Sequence, residues 1–171
     1  MRLLFVLDAK DYYNTKTKVV RNSSRAIIIK DKKVAMVYSS KYDYYKFPGG
    51  GIEANESKID ALIRETKEET GLEIIKDSIK EYGYVYRIQK TTNKDETFIQ
   101  DNYYYICSVK NEKTQQKLDD YEENEGFTLQ YVDPVEVIRV NRKNKSERIE
   151  KLMVEREAKV LELLTSEGYF F

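Results

Sequence analysis

Apolar residues along the chain change their period several times, and each change marks an element. The run Leu3–Leu7 and the stretch 25–39 ("RAIIIKDKKVAMVYS") are rich in β-branched side chains, which predicts strands. Asp31-Lys32-Lys33 divides the second stretch into the two arms of a hairpin. Residues 41–47 ("KYDYYKF") lead into Pro48 and Gly49–Gly51, where proline and three glycines predict a loop. From Ser57 to Thr70 the period is helical. Ser57 and Asp60 stand at capping-box spacing, and Gly71 falls where a C-terminal cap glycine belongs.

Beyond the helix, "LEIIK" (72–76) and "YGYVYRIQK" (82–90) predict strands, "TTNKDE" (91–96) a turn, and "TFIQDNYYYICSV" (97–109) a long strand. The acidic "DDYEENEGF" (119–127) predicts a loop and "FTLQYV" (127–132) a short strand. Asp133 then caps a short helix with Pro134 in its first turn. A final amphipathic helix is predicted over 145–164, its apolar face carried by Ile149, Leu152, Met153, Val160 and Leu164. No repeat or low-complexity linker interrupts the series, so the expectation is one α/β domain over residues 1–171.

Composition narrows the chemistry. Thirty basic and thirty acidic residues cancel, leaving no net-charge footprint for a long nucleic acid or an anionic membrane. The apolar run before Asp8 is too short for a signal-peptide core or a membrane span. The single cysteine, Cys107, lies in a predicted strand, which suits a buried thiol and a reducing, cytoplasmic setting. The chain has no histidine, which excludes Ser-His-Asp triads, Cys-His pairs and the usual His/Cys zinc sites. Any catalysis has to run on carboxylates, lysines, tyrosines or a hard metal ion held by oxygen.

The helix at 57–70 is where such chemistry concentrates. At about 100° per residue, Glu65, Glu68 and Glu69 fall within an arc of about 100°. Ile59, Leu62, Ile63, Thr66 and Thr70 form a separate arc centred roughly 130° away, which predicts a core face distinct from a carboxylate face. Like charges at these spacings repel by about 0.2–0.5 kcal/mol per pair. Either the face is solvated surface charge, or a cation belongs between the glutamates. The preceding glycines, which let backbone approach a ligand closely, favour the cation.

Gly50, Glu56, Arg64, Glu65, Glu68, Glu69, Gly71 and Leu72 stand at the spacing G-x5-E-x7-R-E-U-x-E-E-x-G-U, where U is a bulky aliphatic residue. This segment, 50–72, resembles the signature of the Nudix (MutT-like) hydrolases. Thr66, at the first U, is the one departure, and it falls on the core-facing arc. The resemblance implies an α/β/α sandwich with a mixed β-sheet. It also implies hydrolysis of a pyrophosphate linkage with Mg²⁺ or Mn²⁺, by water attack on phosphorus. Glu65, Glu68, Glu69 and the Gly49 carbonyl would be metal ligands. Arg64 would orient Glu65, and Glu56 would support the loop–helix junction or bind metal through water. The general base would be Glu65 or a residue of the later acidic loop, with Glu125 nearest to the following strand and Glu122 or Glu123 as alternatives.

Arg87 and Tyr45 are the candidates for gripping a substrate's phosphate and base. The expected partner is a small nucleotide, either a nucleoside triphosphate (oxidised ones included) or a nucleoside diphosphate derivative. Two alternatives stay open: removal of pyrophosphate from RNA 5′ ends, and a non-catalytic nucleotide sensor of the same fold. The sequence leaves the choice of nucleotide and a homodimer open.

Overall fold

The computed structural model describes residues 1–92, 95–147 and 150–171. Strand β1 (Leu3–Asp8) is followed by β2 (Thr17–Val20), which the apolar pattern does not announce, and by β3 (Ser23–Ile27). The predicted hairpin comes next. Strands β4 (Ile29–Lys30) and β5 (Lys33–Ser39) pair antiparallel, and Asp31 and Lys32 turn between them at φ 51° and 62°. Positive φ at both central residues gives a turn whose twist matches that of the flanking strands.

Strand β6 (Tyr44–Lys46) pairs with β5, and the glycine triplet is itself strand β7 (Gly49–Gly51), antiparallel to β3. The loop expected there is thus part of a sheet, for a steric reason. A Cβ on Gly49 would lie 2.1 Å from the Ser24 carbonyl oxygen, and its φ is 130°. Only a residue without a side chain lets this segment close on β3.

Helix α1 (Lys58–Thr70) follows, then β8 (Leu72–Ile74), β9 (Lys80–Lys90), β10 (Glu96–Ile106) and β11 (Val109–Lys113). The predicted loop at 119–127 contains a short helix, α2 (Asp120–Glu125). Asp119 and Glu122 form a reciprocal capping box, and Gly126 closes the helix at φ 66°. The chain ends in β12 (Phe127–Val132), α3 (Pro134–Lys143) and α4 (Lys151–Ser166). Asp133 caps α3 as expected, accepting from the Val135 N–H. Helix α4 begins at Lys151 rather than Lys145. The predicted helical position Ile149, and residues 93–94 of the predicted turn, lie outside the described residues.

The largest sheet runs β1-β9-β10-β3-β7, with β2 also paired to β10. It is mixed: β1/β9, β2/β10 and β3/β10 are parallel, while β9/β10 and β3/β7 are antiparallel. A second sheet runs β12-β5-β4, with β6 on β5. Successive strand residues point to opposite faces, and here both faces are covered. Ile27 and Met36 pack in one cluster with Val137, Val160, Leu161 and Leu164 of α3 and α4. Ala26, Ile28 and Ala35 pack in another with Leu62 of α1, Leu72 and Ile74. The result is the expected α/β/α sandwich. Cys107 is buried in the α1-side cluster, where burial pushes its thiol up to about 12. Among the described residues no helix is long and apolar enough to cross a membrane.

Candidate functional site

Helix α1 is held at both ends by the residues its sequence proposes. Ser57 accepts from the Asp60 N–H at 3.0 Å, and Gly71, at φ 74°, donates its N–H to the Lys67 carbonyl. Leu62 and Ala61 are fully buried and fix the rotation of the helix against the strands. That rotation turns Arg64 into the hub of the carboxylate face. Its Nε and Nη2 grip both oxygens of Glu56 at 2.7 and 2.8 Å. Its Nη1 reaches Glu65 at 2.7 Å and Glu68 at 3.2 Å, and Nη2 also donates to the Gly51 carbonyl at 3.2 Å. Such bidentate, charge-assisted bonds orient carboxylates as well as attract them. The Arg64 hydrogen bonds hold Glu56 below the usual carboxylate range.

Glu65 lies against the glycine strand. A Cβ on Gly50 would meet Glu65 Oε2 at 2.2 Å, so with glycine here the carboxylate lies directly on the backbone without having to shift. Burial raises the Glu65 pKa; Arg64 opposes the rise and the nearby charge of Glu69 adds to it. Glu69 departs from the expected separation of faces. It is 1 % exposed, with Oε1 2.5 Å from Lys46 Nζ and Oε2 accepting from the Gly49 N–H at 2.9 Å. A carboxylate is tolerated at such depth only when paired and hydrogen-bonded, and Lys46 supplies the pair. Burial works against the charge on Lys46, but Glu69 more than offsets it and leaves the ammonium more basic than usual. The ammonium also lies 4.5 Å from the centre of the Phe127 ring.

Arg64 and Lys46 therefore do locally what a bound cation would do between these glutamates. Among the described residues no three acidic side chains converge as a metal-ligand group; Glu65 and Glu68 are turned to Arg64 and Glu69 to Lys46. The donor set nevertheless suits a hard divalent ion: three carboxylates on adjacent turns, a backbone carbonyl at Gly49, and a glycine at 50 that leaves room beside Glu65. The Gly49 carbonyl accepts from Arg25 Nη1 at 2.5 Å, which leaves its second lone pair.

The acidic loop candidates separate. The Glu125 carboxylate is tied down by the Tyr44 hydroxyl at 2.8 Å and the Ser39 hydroxyl at 3.1 Å. Glu122 is buried in α2, where burial first, and the nearby charge of Glu69 second, push its pKa up to about 7 against the opposing Asp119 N–H and Lys46. Glu122 is thus poised to exchange a proton near neutrality.

Beside Gly51 opens a cavity of about 300 Å³, lined by Arg21, Arg25, Arg87, Arg156 and Phe98 among others. Arg87 thus faces the site, as its candidacy requires. Its guanidinium is paired with Glu150, donates to Gln89 at 2.9 Å and lies 5.2 Å from the centre of the Phe98 ring. Burial lowers its pKa against the pull of Glu150. Tyr45 is not brought there. Its backbone is clasped by the Asn141 side chain of α3, its ring packs 4.8 Å from Tyr38, and its hydroxyl donates to Gln130.

Behind the cavity, Arg156 and Glu157 of α4 are fully buried and paired. Arg156 donates to Asn102 at 2.6 Å, and Glu157 Oε2 accepts from the Phe47 N–H at 3.0 Å. Sequence reasoning missed Lys46, Arg21, Arg25, Arg156 and Glu157. An arginine and a glutamate at neighbouring core positions of α4 are the one trace these left in the sequence.

The NUDIX domain family model matches residues 20–154. In fold, the chain is similar to a NUDIX hydrolase from Nitrosomonas europaea, with a TM-score of 0.57 and 18 % identity over 83 % of this chain and 90 % of that one. It is also similar to the E. coli ORF135 protein, with TM-score 0.55 and 18 % identity over 89 % and 94 % of the two chains. A MutT NUDIX hydrolase from Burkholderia pseudomallei gives TM-score 0.55 and 14 % identity over 83 % and 98 %. Among curated proteins none matches the chain.

Proposed function

The chain belongs to the Nudix family of pyrophosphohydrolases, and from that premise we propose that it is a Mg²⁺- or Mn²⁺-dependent hydrolase of a small nucleotide. The substrate class we infer is a nucleoside triphosphate or a nucleoside diphosphate derivative, cleaved at a pyrophosphate bond by water. The observation that carries this reading is the cradle at Gly50, where the Glu65 carboxylate lies directly on a bare backbone, 2.2 Å from where a Cβ would stand. A helix serving only as solvated surface has no use for that approach.

Glu65, Glu68, Glu69 and the Gly49 carbonyl would hold the divalent ion. Bound there, the ion supplies neutralisation of the diphosphate charge and polarises a phosphoryl oxygen. The chain's own residues do the rest. Arg64, locked by Glu56, sets the orientation of Glu65 and Glu68. Glu65, oriented by Arg64 against the glycine strand, is the residue placed to take the proton from the attacking water. Glu122, with its pKa near neutrality, is the second candidate for that step. Arg25 holds the Phe47 and Gly49 carbonyls, at 3.4 and 2.5 Å, and so fixes the strand that presents both the carbonyl and the cradle.

The test is a phosphate- and pyrophosphate-release screen of the purified protein with Mg²⁺ across nucleoside triphosphates, sugar nucleotides and dinucleoside polyphosphates. Metal-dependent turnover of at least one class is expected. Nucleotide binding with no turnover of any class would favour the sensor reading instead.

A further inference from the structure

The arginine cavity carries more positive charge than a scissile diphosphate held by metal ligands requires. Of its four arginines, Arg87 is paired with Glu150 and Arg156 with Glu157. Arg21 and Arg25 have no carboxylate partner among the described residues. Arg25 is 8 % exposed, its Nη1 engaged by two neutral carbonyls, and its Nε is buried without any hydrogen-bond partner. Glu65 is near enough to feel this charge but makes no ion pair with it, and a buried guanidinium without a hydrogen-bonded counter-ion is costly, so its persistence beside a cavity points to an anion that belongs there. Arg21 is exposed at the mouth, with Nη2 3.8 Å from where a Cβ on Gly51 would stand.

The lining fits a nucleobase poorly. The face of Phe98 already carries the Arg87 guanidinium, Tyr121 is packed edge-on against Phe127, and the Gln100 side-chain carbonyl is taken by Arg156 at 3.4 Å. Two guanidiniums without an ion-pair contact suit one phosphomonoester, which carries close to two negative charges above its second pKa of about 6. Arginine forks also suit the geometry of phosphate oxygens.

We infer that this cavity binds a phosphomonoester carried by the substrate apart from its scissile diphosphate. The preferred substrates are thus diphosphate compounds bearing an additional phosphate on a sugar hydroxyl. This rests on the pyrophosphohydrolase reading above and adds the substrate class.

The experiment compares compound pairs that differ by one phosphate group. Guanosine 5′-triphosphate is set against its 3′-phosphorylated derivative, and adenosine 5′-diphosphoribose against its 2′-phosphate. In the wild type, kcat/KM is expected to favour the phosphorylated member at least 30-fold, chiefly through KM. Arg21→Ala, at an exposed position where the fold tolerates truncation, is expected to reduce that ratio at least fivefold, and raised salt should reduce it further. A wild-type ratio near one, with both members hydrolysed, would overturn the inference, leave the hydrolase reading standing and assign these arginines to the diphosphate itself. A ratio untouched by Arg21→Ala would also overturn it. Failure of every compound to turn over with Mg²⁺ would defeat the hydrolase reading and the inference together.

Discussion

Two arginine–glutamate pairs, each adjacent in sequence, behave differently in the folded chain. Arg64 and Glu65 lie on α1 with their side chains 28 % and 17 % exposed, while Arg156 and Glu157 lie on α4 at 1 % and 0 %. Both grip the same segment. Arg64 takes the Gly51 carbonyl at 3.2 Å, and Glu157 takes the Phe47 N–H at 3.0 Å. Where water still reaches the pair, a carboxylate can trade one cation for another at modest cost. In the dry interior the same trade strands a charge. The first pair is built for exchange and the second for permanence, and between them they stretch the glycine strand into its cradle.

The sharpest way to break this comparison is to remove one member of the buried pair. Glu157→Gln should cost about 3–5 kcal/mol of stability, the usual penalty for leaving an uncompensated buried charge, read as a large drop in Tm. Arg156→Met together with Glu157→Leu should cost less than the two single changes summed. A Tm unmoved by Glu157→Gln would mean that the two pairs are equivalent after all.

The next effect is on turnover. Glu68→Gln should leave the fold intact and lower Mg²⁺-dependent activity at least 100-fold, about 2.7 kcal/mol of transition-state stabilisation. Glu69→Gln is a different experiment, because it also strands the buried ammonium of Lys46. It should therefore lose stability as well as activity, and the contrast between the two variants sharpens the division between exchangeable and permanent partners.

A smaller effect, of opposite sign, is expected at Thr66. Its hydroxyl is buried on the core side of α1 without a partner. Thr66→Val keeps the shape, removes the unsatisfied group and should gain about 1 kcal/mol, a rise in Tm of about 2–4 °C.

The smallest change concerns Cys107, whose thiol is pushed up to about 12 by burial. A thiol pKa raised on folding adds stability that is fully present below its unfolded value, about 8.5, and lost as pH climbs towards 12. Activity and stability at neutral pH should be untouched. At pH 8 the native thiol should alkylate roughly a thousandfold more slowly than the unfolded one.

What the sequence made legible was local. The hairpin turn at Asp31-Lys32, the caps at Ser57, Gly71 and Asp133, and the arrangement of Arg64 among its glutamates all arise from residues close in the chain. The capping box Asp119–Glu122 is equally local and marks the start of α2 within the acidic run. The rest depends on distant partners. Glu157 meets Phe47 across 110 residues and Lys46 meets Glu69 across 23, and no spacing rule links them. Tertiary pairing also overrode glycine's weak strand preference at Gly49–Gly51, because β3 needed a neighbour that could approach within backbone contact.

Everything turns on whether Glu65 and Glu68 can exchange Arg64 for a divalent ion. Titration of Mn²⁺ into the wild type and Glu68→Gln, followed by electron paramagnetic resonance, tests it without requiring a substrate. Saturable binding is expected, weakened at least tenfold in the variant while Tm stays within about 2 °C. Equal Mn²⁺ affinity in the two proteins would contradict it.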